Sequence, residues 1–149
     1  TYYAPDYDAR AVADQVERLR QAEALVLVFP TWWFGFPAIL KGWVERVFSH
    51  DFAYRMTDDG WSGEVKGRIG LLRHEKALII STTFFSEHNY RNTGMQEAMG
   101  KIVDEYGFQY PGIQNVQHVY FYGAVSVDDE TRKGYLDTAY RLAKRAYRL

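Results

Sequence analysis

Apolar residues fall in two alternating patterns along the chain, helical spacing and short unbroken runs. Residues 8–20 read as a helix, with Val12, Val16 and Leu19 on one face and Asp8 as its N-cap. Residues 24–29 (ALVLVF) are wholly apolar, as a strand buried on both faces would be. A second helix starts at Pro37, with Ile39, Leu40, Trp43, Val44, Val47 and Phe48 at helical spacing. Residues 77–81 (ALIIS) form a second buried strand, and residues 93–106 a helix that stops before Gly107. Residues 116–122 give a third strand. Asp128 and Asp129 cap a last helix running to about residue 147, with Tyr135, Leu136, Ala139, Leu142, Ala143 and Ala146 on its inner side.

Helices and strands that alternate in this way imply right-handed crossovers and an α/β fold, an open parallel sheet with helices on both faces. No repeat, low-complexity tract or linker divides residues 1–149, which read as a single domain. Residues 49–75 are long for a plain connection and carry Asp58-Asp59-Gly60 and Ser62-Gly63, so they are functional or hold a hairpin of their own. Residues 82–92 read as a polar-aromatic loop. The chain opens on a helix and offers three strands. Either this is a small three-strand domain, or the natural protein has further sequence on the N-terminal side; the second is expected, because three strands leave a long apolar edge.

Composition narrows the function classes. A net charge of −1 and a pI of about 6.4 give no electrostatic case for nucleic acid or an anionic membrane. No apolar run approaches the roughly 20 residues that a membrane insertion needs. With no cysteine there is no disulfide, thiol nucleophile or thiolate metal site, which is compatible with a cytoplasmic protein. His50, His74 and His118 lack metal-site spacing, so no metal is expected. Aromatic residues reach 17%, a surplus that can line a pocket for a flat ligand or a subunit interface.

Ligands of open parallel sheets bind beyond the carboxyl ends of the strands. Two segments leave strand ends here, residues 30–36 (PTWWFGF) and residues 82–90 (TTFFSEHNY). In the first, four rings follow a buried strand within a turn set by Pro30, Gly35 and Pro37. A planar ligand such as a flavin accounts for them, with backbone N–H groups of the turn facing the ring edge where negative charge collects on reduction. Alternatively, Trp32, Trp33 and Phe34 fill core or a subunit interface.

Residues 29–48 (FPTWWFGFPAILKGWVERVF), continued by Phe52-Ala53-Tyr54, resemble the signature of the NAD(P)H:quinone oxidoreductase and modulator of drug activity B family of flavodoxin-like proteins. The likeness runs on through residues 76–83 (KALIISTT), Gly112-Ile113 and Tyr122-Gly123. It implies a 2-1-3-4-5 sheet of which this chain supplies strands three to five. It implies that Pro30, Thr31, Trp32, Trp33 and Phe34 line the isoalloxazine of FAD or FMN, with Thr82, Thr83, Phe84 and Phe85 forming the second flavin loop. Tyr90 becomes the catalytic residue at the pyrimidine edge. Tyr54 and Met56 are implied to cover the partner's site in a homodimer, and together with Gln96 to meet the substrate. The reaction implied is hydride transfer from NAD(P)H to the flavin and on to a quinone. A regulatory subunit of a potassium efflux transporter, or an inactive flavin-free fragment, are the competing readings.

Three departures from the family pattern stand out. Phe84-Phe85 replaces a usual Gly pair, and Gln96 replaces a histidine, for which His88 is a possible substitute. The family's opening strand and phosphate-holding loop have no counterpart, so roughly 40–60 further residues are expected before Thr1, the span of about two strand–helix units.

Overall fold

The computed structural model describes residues 9–147, so the expected N-cap Asp8 lies outside the described residues. A 3₁₀ turn, Ala9–Val12, leads into α1 (Ala13–Gln21), which buries Leu19. Then follow β1 (Ala24–Pro30), α2 (Ala38–Val47), β2 (Tyr54–Met56), the single turn α3 (Asp58–Trp61), β3 (Arg68–Gly70) and β4 (Lys76–Thr82). The chain continues with α4 (Glu87–Asn92), α5 (Met95–Met99), a π-helix (Gly100–Gln109), β5 (Val116–Phe121) and α6 (Asp129–Tyr147).

Strands β1, β4 and β5 form the expected parallel sheet in the order β1-β4-β5. The central strand, β4, is buried from Ala77 to Ser81, as its unbroken apolar run requires. In register, Leu27 pairs with Ile79 and Phe29 with Ser81; this face packs in one core with Val47 of α2 and with Val103 and Phe108 of the π-helix. On the opposite face Leu78, Ile80 and Phe121 lie under Tyr135, Ala139 and Leu142 of α6. Val26 and Val28 are in register with Leu78 and Ile80 on that second face, yet they are 49% and 70% exposed. The cover given by α6 stops short of β1.

Residues 49–75 do contain a hairpin, with β2 antiparallel to β3. Between these strands Gly60 and Gly67 touch backbone to backbone; a Cβ on Gly60 would sit 1.8 Å from the Gly67 carbonyl oxygen.

Four expectations need correction. The helix set to stop before Gly107 runs through it to Gln109, because Val103 and Phe108, both fully buried, anchor the π-helix on either side. Packing outweighs the helix-breaking tendency of one glycine. Residues 82–92 are not all loop, since Ser86 caps α4 by accepting from the Asn89 N–H. Ile39 is 85% exposed while Leu40, Trp43 and Val44 turn inward. Leu136 is 70% exposed, and it is the preceding residue, Tyr135, that faces the sheet, its ring stacked on Phe121 at 4.6 Å.

Asp128 caps α6 as expected, accepting from the Thr131 N–H at 2.7 Å. Bonding to Thr131 holds this carboxyl below its usual range. A depressed folded-state pKa contributes stability above the unfolded value of about 3.9 and loses it as pH falls through the folded value. Asp128→Ala should therefore lower Tm at neutral pH, and the gap should close in acid. A gap of equal size at pH 7 and pH 2 would refute the cap as its cause.

Candidate functional site

The carboxyl ends of β1, β4 and β5 meet at one edge, and the two aromatic segments leave from there. After β1, Trp32 and Gly35 pair across a tight turn closed by Gly35 N–H to Trp32 carbonyl at 3.2 Å. Its central residues, Trp33 and Phe34, have φ of +49° and +60°. Two positive φ values are the mark of a type I′ turn, which favours Asn and Gly. Bulky rings here hold strained backbone, a feature that gathers at ligand sites. Trp33 is 96% exposed, so the turn is not made to fill core.

Thr31 stitches β1 to β4. Its N–H and its hydroxyl both donate to the Thr82 carbonyl, at 2.8 and 3.1 Å. With that proton committed, the Tyr90 hydroxyl, 3.1 Å from Thr31 Oγ1, is the donor between the two. Tyr90 itself is 1% exposed on α4. Thr83 is buried and organises the second loop: its hydroxyl donates to the Phe85 carbonyl at 2.7 Å, and its own N–H reaches the Phe121 carbonyl at 3.0 Å. Gly123 N–H also donates to the Phe85 carbonyl, at 3.0 Å. A cavity of about 240 Å³ results, lined by Thr31, Trp33, Phe34, Phe84, Phe85 and Tyr90. Pro30, Trp32 and Thr82 frame it at the strand ends without lining it.

The expected substrate residues are elsewhere in this chain. Tyr54 and Met56 line a separate apolar groove of about 440 Å³ with Phe36, Phe48, Trp61 and Tyr106. Gln96 sits on α5, where its side-chain oxygen accepts from the Tyr122 hydroxyl at 2.7 Å. His88 is exposed beside Asn92, with no tie to the cavity.

Sequence reading missed a buried network below the site. Ser81 Oγ lies 2.8 Å from His118 Nε2, and His118 Nδ1 lies 2.7 Å from Asp104 Oδ1. The order is that of a hydroxyl–imidazole–carboxylate relay, but Ser81 is fully buried in mid-sheet and meets no substrate. Its role is structural. The His118 ring stacks on Tyr120 at 4.0 Å, Tyr120 stacks on Tyr122, and Tyr90 contacts both tyrosines. Burial pushes the Tyr120 hydroxyl pKa far up, so this hydroxyl stays neutral. The available signal was period-two spacing: His118 and Tyr120 share one face of β5, and Tyr122 continues the spacing just past the strand's end.

A flat ring fits these surroundings: exposed aromatic walls and a hydroxyl pair at the floor. The cavity suits a ring system, and the phosphates of a flavin nucleotide would extend beyond it. Among the described residues, no helix is long and apolar enough to cross a membrane.

Comparison with known proteins follows the same lines. An uncharacterized NAD(P)H oxidoreductase of Haemophilus influenzae is 36% identical over 119 residues, 80% of this chain and 55% of the relative. The human ribosyldihydronicotinamide dehydrogenase [quinone] is 38% identical over 87 residues, 58% of this chain and 35% of the relative. Among solved structures, an NAD(P)H:quinone oxidoreductase from Methanothermobacter marburgensis superposes with a TM-score of 0.77 at 30% identity, covering 88% of this chain and 62% of the other. This chain thus spans about half the length of the first of these curated relatives, or less of the second. The family model described as flavodoxin-like fold matches residues 2–143, nearly the whole chain, and with its β1-β4-β5 parallel sheet in place the chain belongs to that family.

Proposed function

We propose that this chain forms the ring-binding part of a flavin-dependent NAD(P)H oxidoreductase that reduces quinone-type acceptors. One observation carries the reading: the Tyr90–Thr31 hydroxyl pair closes the floor of an aromatic-walled cavity at the carboxyl edge of a parallel sheet. The flavin, FMN or FAD, supplies the two-electron carrier that accepts hydride from NAD(P)H. Thr31, Trp33 and Phe34 hold one side of the ring, and Thr83 positions the loop on the other. Tyr90 holds a proton at its hydroxyl and, by turning from Thr31, can donate it to a ligand oxygen.

The working form in this reading is a homodimer. The 440 Å³ groove supports it, being apolar, open and rimmed by Trp61, Ile102 and Tyr106, which are 53%, 63% and 43% exposed. A second copy seated there would bring Tyr54 and Met56 towards a neighbouring site. The open flank at Val26 and Val28 supports a further strand–helix segment beside β1 in the natural protein, one that would hold the flavin phosphate.

The test is spectroscopic. The protein is mixed with FMN and with FAD, freed of excess, and its visible absorbance recorded before and after anaerobic NADH or NADPH and then a quinone. Bound flavin that bleaches and recovers is the expected result. A protein that stays colourless with both flavins would sink the proposal.

A further inference from the structure

The Tyr90 hydroxyl lies 3.1 Å from Thr31, and what fixes the ring that carries it lies behind that pair. Tyr122 meets Tyr90 edge-on with centroids 5.8 Å apart, and Tyr120 packs beside it at 6.2 Å. Tyr120 and Tyr122 stack on each other, planes 16° apart, and Tyr120 stacks in turn on His118. This wall of rings is fastened at both ends. At the inner end both nitrogens of His118 are bound, by Ser81 and by Asp104. At the outer end the Tyr122 hydroxyl donates to the Gln96 side-chain oxygen at 2.7 Å.

The two ends differ in burial. His118 is almost fully enclosed, whereas Tyr122 is half-buried, and burial alone does not hold its ring. Burial, and after it the charge of Glu87, raises the Tyr122 hydroxyl above its ordinary range, so this group keeps its proton and goes on donating to Gln96. The Tyr122 backbone is secured separately, its carbonyl accepting from the Tyr135 hydroxyl at 2.8 Å. The bond to Gln96 is therefore what ties the side chain down, beyond its contacts with other rings. Gln96 projects from α5 and does not line the strand-end cavity. A reacting group keeps its aim only when the residues behind it are themselves locked.

We infer that Gln96 is a positioning residue: by holding the Tyr122 hydroxyl it keeps the Tyr122 ring against Tyr90, and so keeps the Tyr90 hydroxyl at the cavity floor. In this role Gln96 meets no acceptor. The inference rests on the proposed function for what the Tyr90 proton does, while the confinement of the Tyr90 ring is measured with no flavin present.

For the Tyr90 ring to flip, Tyr122 has to give way, and that breaks its bond to Gln96. The experiment is NMR of the full chain labelled at its tyrosine rings, with the Tyr90 signal assigned by its loss in Tyr90→Phe. Gln96→Leu should speed the Tyr90 flip about 5-fold, the factor to which one ordinary hydrogen bond converts. Gln96→Glu keeps an acceptor oxygen and should restore the slow flip. Tyr54, buried beside the separate groove, reports general loosening and should not change. In the flavin-loaded chain Gln96→Leu should lower kcat for quinone reduction about 10-fold, short of the roughly 100-fold that a full 1 Å misplacement costs, and leave the acceptor KM alone. An unchanged Tyr90 flip in Gln96→Leu, an equal acceleration at Tyr54, no recovery in Gln96→Glu, a kcat that holds or an acceptor KM that rises would each overturn the inference. A chain that takes up no flavin sinks the proposed function, and the flip rates then judge the positioning by themselves.

Discussion

Phe108→Ala should cost about 3–5 kcal/mol of folding stability, the range for emptying a buried aromatic site. Phe108 is fully buried on the π-helix, and its ring meets Phe36 and Phe48 edge-on at 6.3 and 5.9 Å. Its carbonyl accepts from the Ile113 N–H at 3.1 Å, so the residue also ties the end of the π-helix to the segment entering β5. The void left by alanine would adjoin the 440 Å³ groove, whose lining includes Phe36 and Phe48, and the π-helix has little means to collapse into it. Against a total of roughly 5–15 kcal/mol for an ordinary domain, the loss approaches the limit of folding. Urea unfolding followed by circular dichroism measures it. A loss under about 1 kcal/mol would show that the π-helix is not anchored there. Phe108→Leu keeps most of the volume and should stay under about 1.5 kcal/mol.

The second large effect is expected at His118. Replacing it by leucine strands the Ser81 hydroxyl, which is fully buried, and leaves the Asp104 carboxylate without its partner. Breaking a buried pair from one side costs about 3–5 kcal/mol. The Asp104 side chain is 23% exposed and keeps some hydration, which lowers the expectation to about 2–3 kcal/mol. The remedy is to remove the other polar groups too. His118→Leu combined with Ser81→Ala and Asp104→Leu should regain much of the loss, because none of the three positions then holds a polar group whose partner has been removed. If the triple variant is no more stable than the single one, the loss belongs instead to the 4.0 Å stack of His118 on Tyr120.

Much of the fold was legible because local pattern and burial agree. The run of residues 77–81 is buried on both faces in the central strand, whereas the run of residues 24–29, expected to be buried on both, buries Leu27 and Phe29 on one face and leaves Val26 and Val28 exposed on the other. The aromatic turn was legible as a site because rings cluster where a parallel sheet exposes its strand ends. What escaped depends on tertiary register. Ser81 and His118 approach only because β4 and β5 align Ile79 with His118 and Ser81 with Tyr120, across a connection of more than thirty residues. Asp104 joins them because the π-helix turns it inward, and no local spacing announces a π-helix. Tyr54, Met56 and Gln96 were assigned by resemblance alone, and within one chain they lie outside the cavity that Tyr90 floors. Phe84 and Phe85 first read as a break in a pattern, and geometry makes them walls.

Val26 and Val28 have one more consequence. They project from the strand whose end carries Pro30 and Thr31, so whatever covers them also steadies one wall of the cavity. Burying both side chains would add about 2–4 kcal/mol, taking part of the gain for a fully buried valine at each. The cover and the ring ligand then act on the same strand, and by thermodynamic linkage each should tighten the other's hold. Affinity for the proposed ring ligand would in that sense depend partly on the face of the sheet that carries Val26 and Val28.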